Sequence, residues 1–186
     1  MKKIFFDLET TGTQFWQHGI HQISGCVEID GEVKEFFNYH VRPNPKAKIE
    51  DEALAVAGKT REEIAAYEPM EEVYKRFLEL LGKYVNKYKK TDKFFLVGFN
   101  NAHFDNQFLR AWFVQNGDDY FGSWFWANPL DVYVLATERL LEQRHEMKDF
   151  KLKTVCQFLG MPVDETRLHD AEYDIELTRS LYYKVR

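Results

Sequence analysis

Four carboxylates and one histidine occur at spacings that could bring them onto a shared metal site. Asp7 and Glu9 stand two residues apart at the end of a short apolar stretch that begins Ile4-Phe5-Phe6. On a strand, that spacing puts both on one face, roughly 6.5–7 Å apart along the chain, with Phe5 beside them. Asp105 ends the segment Asn100-Asn101-Ala102-His103-Phe104-Asp105, just after the apolar run Phe94-Phe95-Leu96-Val97. In open α/β sheets, ligands bind in the crevice beyond the carboxyl end of such a strand. His169 and Asp174 complete the set. Five residues on an ideal helix turn through about 500°, leaving two side chains some 140° apart. They converge only if His169 lies on the loop before a helix, which Asp170 is suited to cap. Hard cations such as Mg²⁺ or Mn²⁺ take oxygen ligands. Two ions about 3.5–4 Å apart stabilise the attacking and leaving oxygens of an in-line displacement at phosphorus. A histidine, with an ordinary pKa of about 6.5, can take a proton from the attacking water.

Each signal has a plainer reading when taken singly. Asp7 and Glu9 could be a solvated strand end followed by the turn formers Thr10, Thr11 and Gly12. Asn101 or Asp105 could simply cap the next helix. His169 could be a surface residue beside a helix start whose dipole favours carboxylates. One chemistry that needs all of them together outweighs three separate coincidences.

The elements that must position these residues are legible from period. Ile23, Gly25, Val27 and Ile29 alternate with polar partners, as in a strand with one covered face. Asp30-Gly31 then signals a hairpin, and Val33 to Val41 reads as the return strand, ended by Pro43 and Pro45. Thr60 and Glu63 have capping-box spacing. Val73, Phe77, Leu80, Leu81, Tyr84, Val85 and Tyr88 share one helix face. Phe94 to Val97 predicts a strand buried on both sides. Further helices are expected over Phe104–Phe113, stopped by Asn116-Gly117, then Val132–Arg144, Leu152–Leu159 and Ala171–Tyr183. Antiparallel strands followed by alternating strands and helices predict a mixed sheet flanked by helices.

Composition narrows the class. The chain has 186 residues, 45% hydrophobic and 16% aromatic, too apolar to stay disordered. No apolar run reaches the roughly 20 residues of a membrane span, and Asp7 interrupts the opening apolar stretch too early for a signal peptide. Cys26 and Cys156 are the only cysteines, so neither a disulfide scaffold nor a cysteine zinc site is indicated. No Walker or dinucleotide-binding glycine motif is present. The expectation is a single cytoplasmic domain over residues 1–186, with no membrane partner.

Asp7-Leu-Glu9-Thr-Thr-Gly12, Asn101-Ala-His-Phe-Asp105 and His169 with Asp174 resemble, in order, the three motifs of the DEDDh (DnaQ-like) 3′–5′ exonuclease family. Its members include the proofreading subunit of bacterial DNA polymerase, oligoribonuclease-like enzymes and ribonuclease T. The resemblance covers nearly the whole chain, including a connector over Ile49–Ile64. It implies a ribonuclease-H-like α/β fold and metal-dependent release of mononucleotides from the 3′ end of single-stranded DNA or RNA. Asp7 would bridge two ions, Glu9 would help bind one of them and orient the attacking water, Asp174 would complete the catalytic ion's shell, Asp105 would hold the second ion, and His169 would be the general base. Thr10 and Thr11 would lie against the terminal nucleotide, with Asn101 among the substrate contacts. The chain has Asn100 and Ala57 where many relatives carry His.

Phe15 and Trp16 are the best-placed aromatics to stack on a base. His18 and His21 read as loop residues. Lys83, Lys87, Lys89, Lys90 and Lys93 read as a solvated helix end. The net charge of −5 shrinks once the four candidate ligands are set aside, leaving 26 acidic against 25 basic residues. A single strand is therefore admissible, while the lack of a basic stripe disfavours a long duplex. A homodimer or a polymerase partner is compatible with the sequence, which selects neither. The competing readings are a catalytically retired nucleic-acid-binding or interaction module and a metal-dependent phosphatase on small nucleotides.

Overall fold

A computed structural model describes residues 1–168 and 170–186. Strands β1 (Lys2–Thr10), β2 (Ile20–Ile29) and β3 (Glu32–His40) are antiparallel neighbours. Asp30 and Gly31 join β2 to β3 with φ values of 53° and 91°, the two positive φ angles that favour Asp-Gly in a tight hairpin. Strands β4 (Phe95–Gly98) and β5 (Leu130–Asp131) add in parallel beyond β1, so the sheet order is β3-β2-β1-β4-β5. The helices are α1 (Asp51–Val56), α2 (Arg61–Ala65), α3 (Met70–Tyr84), α4 (Asp105–Gln115), α5 (Phe121–Trp124), α6 (Val132–Arg139), α7 (Leu152–Phe158) and α8 (Ala171–Val185). This is the expected mixed sheet flanked by helices.

The two-residue period of β1 separates two apolar layers. Ile4, Phe6 and Leu8 pack with Ile23, Val27 and Leu96 against Val73, Phe77, Phe108 and Trp112 of α3 and α4. Phe5 packs on the opposite face with Cys26, Val97, Val132, Ile175, Leu181 and Tyr182. Lys3, Phe5, Asp7 and Glu9 therefore share the face covered by α6 and α8. The reciprocal Thr60–Glu63 capping box forms at the start of α2, and Asp170 caps α8 by accepting the Tyr173 N–H.

Several expectations are corrected. Strand β2 is buried along nearly its whole length, not on one face, because it lies inside the sheet and α8 covers its second side. Helix α3 stops at Tyr84, where Val85 turns extended at φ −125° and ψ 129°, so Tyr88 leaves the helix and is 86% exposed. Helix α6 ends at Arg139, five residues before the expected boundary. His18 and His21 are buried. His21 lies on β2, and burial, followed by the nearby His40 and Lys59, pushes its pKa down to about 4, so it is neutral.

One buried polar network fixes α8 to the sheet. The Lys3 ammonium donates to Glu28 Oε1 at 2.6 Å and to the Tyr183 hydroxyl at 2.9 Å. Tyr183 donates to Glu28 Oε1 at 2.5 Å, and Arg179 Nε donates to Glu28 Oε2 at 2.7 Å. Burial would raise the Glu28 pKa, but the hydrogen bonds from Lys3, Tyr183 and Arg179 outweigh it and hold the carboxyl below its usual range. Removing one member of a buried ion cluster strands the others, at a cost of about 3–5 kcal/mol. Glu28→Ala should therefore lower Tm by roughly 6–20 °C, whereas Lys3→Met combined with Glu28→Leu should recover much of the loss. Thermal unfolding of both variants checks this, and an unchanged Tm for Glu28→Ala would show that the network does not secure α8.

Candidate active site

The carboxylates meet where β1 and β4 end and where α4 and α8 begin. Asp7 pairs across the sheet with Ser24, and Glu9 with Gln22, just before a bulge at Glu9/Thr10. Asp105 is the first residue of α4 and is 4% exposed. Its Oδ1 accepts the Leu8 N–H at 3.1 Å, a direct tie between α4 and β1. Asp174 lies in the first turn of α8, where its N–H donates to the Asp170 carbonyl at 2.9 Å. Both helix starts favour carboxylates through their dipoles. His169, the expected base, lies outside the described residues.

The electrostatics show that these groups feel one another. Asp7 is held well above the usual carboxylate range, first because surrounding protein displaces water, then because Asp105, Glu9 and Asp174 are all nearby. It is nonetheless an exposed residue by accessible surface. It thus occupies a crevice, walled on most sides and open on one. Burial pushes Asp105 up to about 7 against the pull of its backbone hydrogen bonds, and Asp131 and Glu9 add to the rise. Among the described residues, no three His, Cys, Asp or Glu side chains form a ready-made metal cage. The donor set nevertheless fits Mg²⁺ or Mn²⁺: oxygen ligands only, with excess negative charge, as expected for hard ions that keep waters and take substrate phosphate as a ligand.

The remaining candidates are placed differently from one another. Thr10 donates through its hydroxyl to the Gly12 carbonyl at 2.8 Å. Thr11 is fully buried, donates to the Lys48 carbonyl at 2.6 Å and accepts the Gly19 N–H at 2.9 Å. Both hydroxyls are turned inward, pinning the loop after β1. Asn101 is also fully buried, packed over Gly98, where an added Cβ would come within 2.8 Å of the Asn101 Cβ. It shapes the turn and does not offer its side chain to the surface. Trp16 is 69% exposed, and half-buried Phe15 meets it edge to face at 5.0 Å. With Arg110 and Val114 of α4 they line a groove of about 350 Å³.

Two positioning residues were not foreseen. Asp131 caps α6 by accepting the Tyr133 N–H at 2.9 Å, and also accepts the N–H groups of Asn100 at 2.9 Å and Ala102 at 3.0 Å. It thereby fixes the turn, with Asn100 at φ 65°, that delivers Asp105. His18 packs so closely on Gly12 that a Cβ there would lie 2.6 Å from its ring. Its Nδ1 accepts the Gln14 N–H at 2.9 Å, and its Nε2 stands 3.1 Å from the Glu50 carboxylate. An Asp ahead of a helix was the available signal for Asp131; the burial of His18 had none.

A carboxyl whose folded pKa is raised destabilises the fold once the unfolded chain ionises more readily than the native one. Asp105, moving from an ordinary 3.8 to about 7, should make the metal-free protein lose stability as pH rises from about 4 to about 7. Asp7→Asn should raise Tm in chelator at pH 7.5 and flatten that decline. Thermal melts between pH 4 and 8 test both statements, and a Tm that climbs across this window would contradict them.

Residues 4–182 match the family model described as exonuclease (RNase_T). The chain is similar to DNA polymerase III PolC-type from Bacillus cereus, 27% identical over 98% of this chain and 11% of that protein. It is also similar to ribonuclease T from Hahella chejuensis, 26% identical over 98% of this chain and 82% of that one. Among solved structures, E. coli exonuclease I in complex with a dT13 oligonucleotide shares the fold, with TM-score 0.76 and 21% identity over 99% of this chain and 40% of that chain. The zinc-bound form of that enzyme's single-stranded DNA complex superposes equally well. The chain thus spans about a tenth of the polymerase relative and two-fifths of exonuclease I. No helix among the described residues is long and apolar enough to cross a membrane.

Proposed function

We propose that this chain, which belongs to the exonuclease (RNase_T) family, hydrolyses phosphodiester bonds at the 3′ end of single-stranded DNA or RNA and releases nucleoside monophosphates. The observation that carries the reading is the raised Asp7 carboxyl, on which Asp105, Glu9 and Asp174 converge from distant parts of the chain. A fold has no structural use for four acids crowded at one crevice, whereas metal-assisted phosphoryl chemistry requires them. The ribonuclease T relative and the DNA-bound exonuclease I structures support a single-stranded nucleic acid as substrate.

Asp7, Glu9, Asp105 and Asp174 would hold two Mg²⁺ or Mn²⁺ ions. Bound there, the ions supply positive charge for the attacking and leaving oxygens of an in-line displacement. The chain's own residues do the rest. The Leu8 N–H and the α4 terminus orient Asp105, and the cap at Asp170 orients Asp174. Glu9 orients the attacking water, and His169 accepts its proton as general base. The exposed ring of Trp16 stacks on a base near the 3′ end.

A 5′-labelled oligonucleotide, offered as matched DNA and RNA with Mg²⁺, Mn²⁺ or chelator, tests the reading. Laddering from the 3′ end is expected, and it should be lost in chelator. Phosphate release without shortening would identify a phosphatase, and binding without turnover a retired module. Asp7→Ala should abolish shortening with little loss of stability, because it relieves charge crowding. His169→Ala should lower turnover about 10²–10⁴-fold while leaving metal binding largely intact. Equal losses of metal affinity in the two variants would remove His169 from the role of base.

A further inference from the structure

The chain is acidic overall, but its cations are unevenly spread. Lys83, Lys87, Lys89, Lys90 and Lys93 fall within eleven residues. Lys83 pairs with Glu35, while Lys87, Lys89 and Lys90 form no ion pair among the described residues and are exposed. Because α3 stops at Tyr84, this segment folds over α5 instead of continuing as a helix. There Lys83, Lys87, Tyr88 and Trp124 line a groove of about 500 Å³. It continues into a hollow of about 310 Å³ lined by Lys87, Tyr88, Tyr120 and Ser123. Tyr88 and Tyr120 are 86% and 71% exposed. Trp124 forms the floor at 5% exposure, and its buried indole N–H has no acceptor among the described residues. The Lys87 ammonium lies 5.5 Å from the ring centroids of both Tyr88 and Trp124. The exposed lysines expected at the end of α3 thus border a hollow edged with aromatic rings, with Lys83 and Lys87 in its lining.

Its position relates it to the crevice. Lys2, at the start of β1, donates to the Tyr84 carbonyl, so the groove lies at the opposite end of β1 from Asp7 and Glu9. Seven residues of strand separate those ends by about 23 Å. Helix α4 bridges the gap. It begins at Asp105, and its Arg110, exposed and without an ion pair among the described residues, lies 4.4 Å from the ring centroid of Phe121, next to Tyr120. Trp16, from the loop after β1, and Val114 of α4 line one groove with Arg110.

We propose that a single-stranded nucleic acid whose 3′ end occupies the Asp7 crevice runs along α4 and is gripped a second time in the Lys87–Tyr88–Tyr120 groove. Lysines take its phosphates and the two tyrosines take its bases, the combination by which proteins hold single strands without reading sequence. An acidic peptide would match the charge, but would leave unexplained both the pair of exposed rings and the line of Trp16 and Arg110 leading to the crevice. The proposal rests on the exonuclease reading. It adds that long strands are held better than short ones by a surface remote from the chemistry.

The test compares 5′-fluorescein dT20 with dT3, which is too short to bridge the two sites, and runs U20 and U3 in parallel. Binding is read by anisotropy in chelator and hydrolysis with Mg²⁺. For Lys87→Glu combined with Tyr88→Ala, and separately for Tyr120→Ala, dT20 or U20 binding should weaken at least fivefold, the low end of one stacked base. The double variant should also show a shallower salt dependence. Hydrolysis of dT3 or U3 should keep its parental kcat. Unchanged binding of both 20-mers, or equal losses for long and short oligonucleotides, would overturn the proposal. So would variants that lose a labelled Glu-rich peptide while keeping the 20-mers, which would make the groove a protein-docking site. If the parental protein shortens no oligonucleotide, the exonuclease reading fails. That outcome is separate from the groove's contribution, which chelator binding reports without turnover.

Discussion

The structure is organised around like charges held together where water is scarce. Asp7 cannot ionise at its usual pH while Asp105, Glu9 and Asp174 surround it, and nothing in an apolar core demands that arrangement. It persists because the framework over-determines it. Leu8 N–H grips Asp105, the α4 and α8 termini each point a dipole at a carboxylate, and both sheet faces are packed solid around β1. Strain of this kind is tolerated where a cation completes the charge balance, and such clustering of perturbed acids marks functional sites more often than structural ones.

One strand face displays the contrast. Lys3, Phe5, Asp7 and Glu9 follow one another on the same side of β1. At Lys3 the protein itself completes the charge balance: Glu28 sits fully buried between an ammonium, a guanidinium and a phenol. Phe5 then seals the layer against Tyr182. At Asp7 the charged neighbours are more carboxylates, Asp105, Glu9 and Asp174. The same helix, α8, serves both ends, anchoring itself through Arg179 and Tyr183 and presenting Asp174 from its first turn. The ion cluster around Glu28 thus fixes the helix that presents Asp174, which places rigidity and reactivity on one element, roughly one and a half to two and a half turns apart.

Much of this was legible because it is local. A two-residue period placed Asp7 and Glu9 on one face, Asp30-Gly31 forced a hairpin, and Asp170 had the chemistry of a cap. What could not be read depends on contacts between distant segments. Strand β5 is two residues long, too short to leave a pattern, so beyond a helix cap nothing pointed to the bonds Asp131 accepts from Asn100 and Ala102. Tyr88 continues the apolar period of α3 in sequence, yet Val85 leaves the helix, and no local rule fixes that exit. Thr11 and Asn101 look like surface donors in a polar loop. They are buried because the loop after β1 folds onto Lys48 and Glu50, and because Gly98 leaves room for an asparagine above it.

Net charge is a poor guide to a nucleic-acid partner when charge of one sign is committed to metal. At −5 the chain looks ill suited to phosphate, yet the acids that create the imbalance lie partly in the crevice, where bound cations would reverse their local effect. Lys87, Lys89 and Lys90, exposed and without an ion pair among the described residues, cluster about one strand length away. A uniformly basic surface would attract duplex and single strand alike. Separating an acidic, metal-dependent crevice from a small basic and aromatic groove favours a flexible strand that can reach both, so the distribution of charge, not its sum, carries the information about substrate.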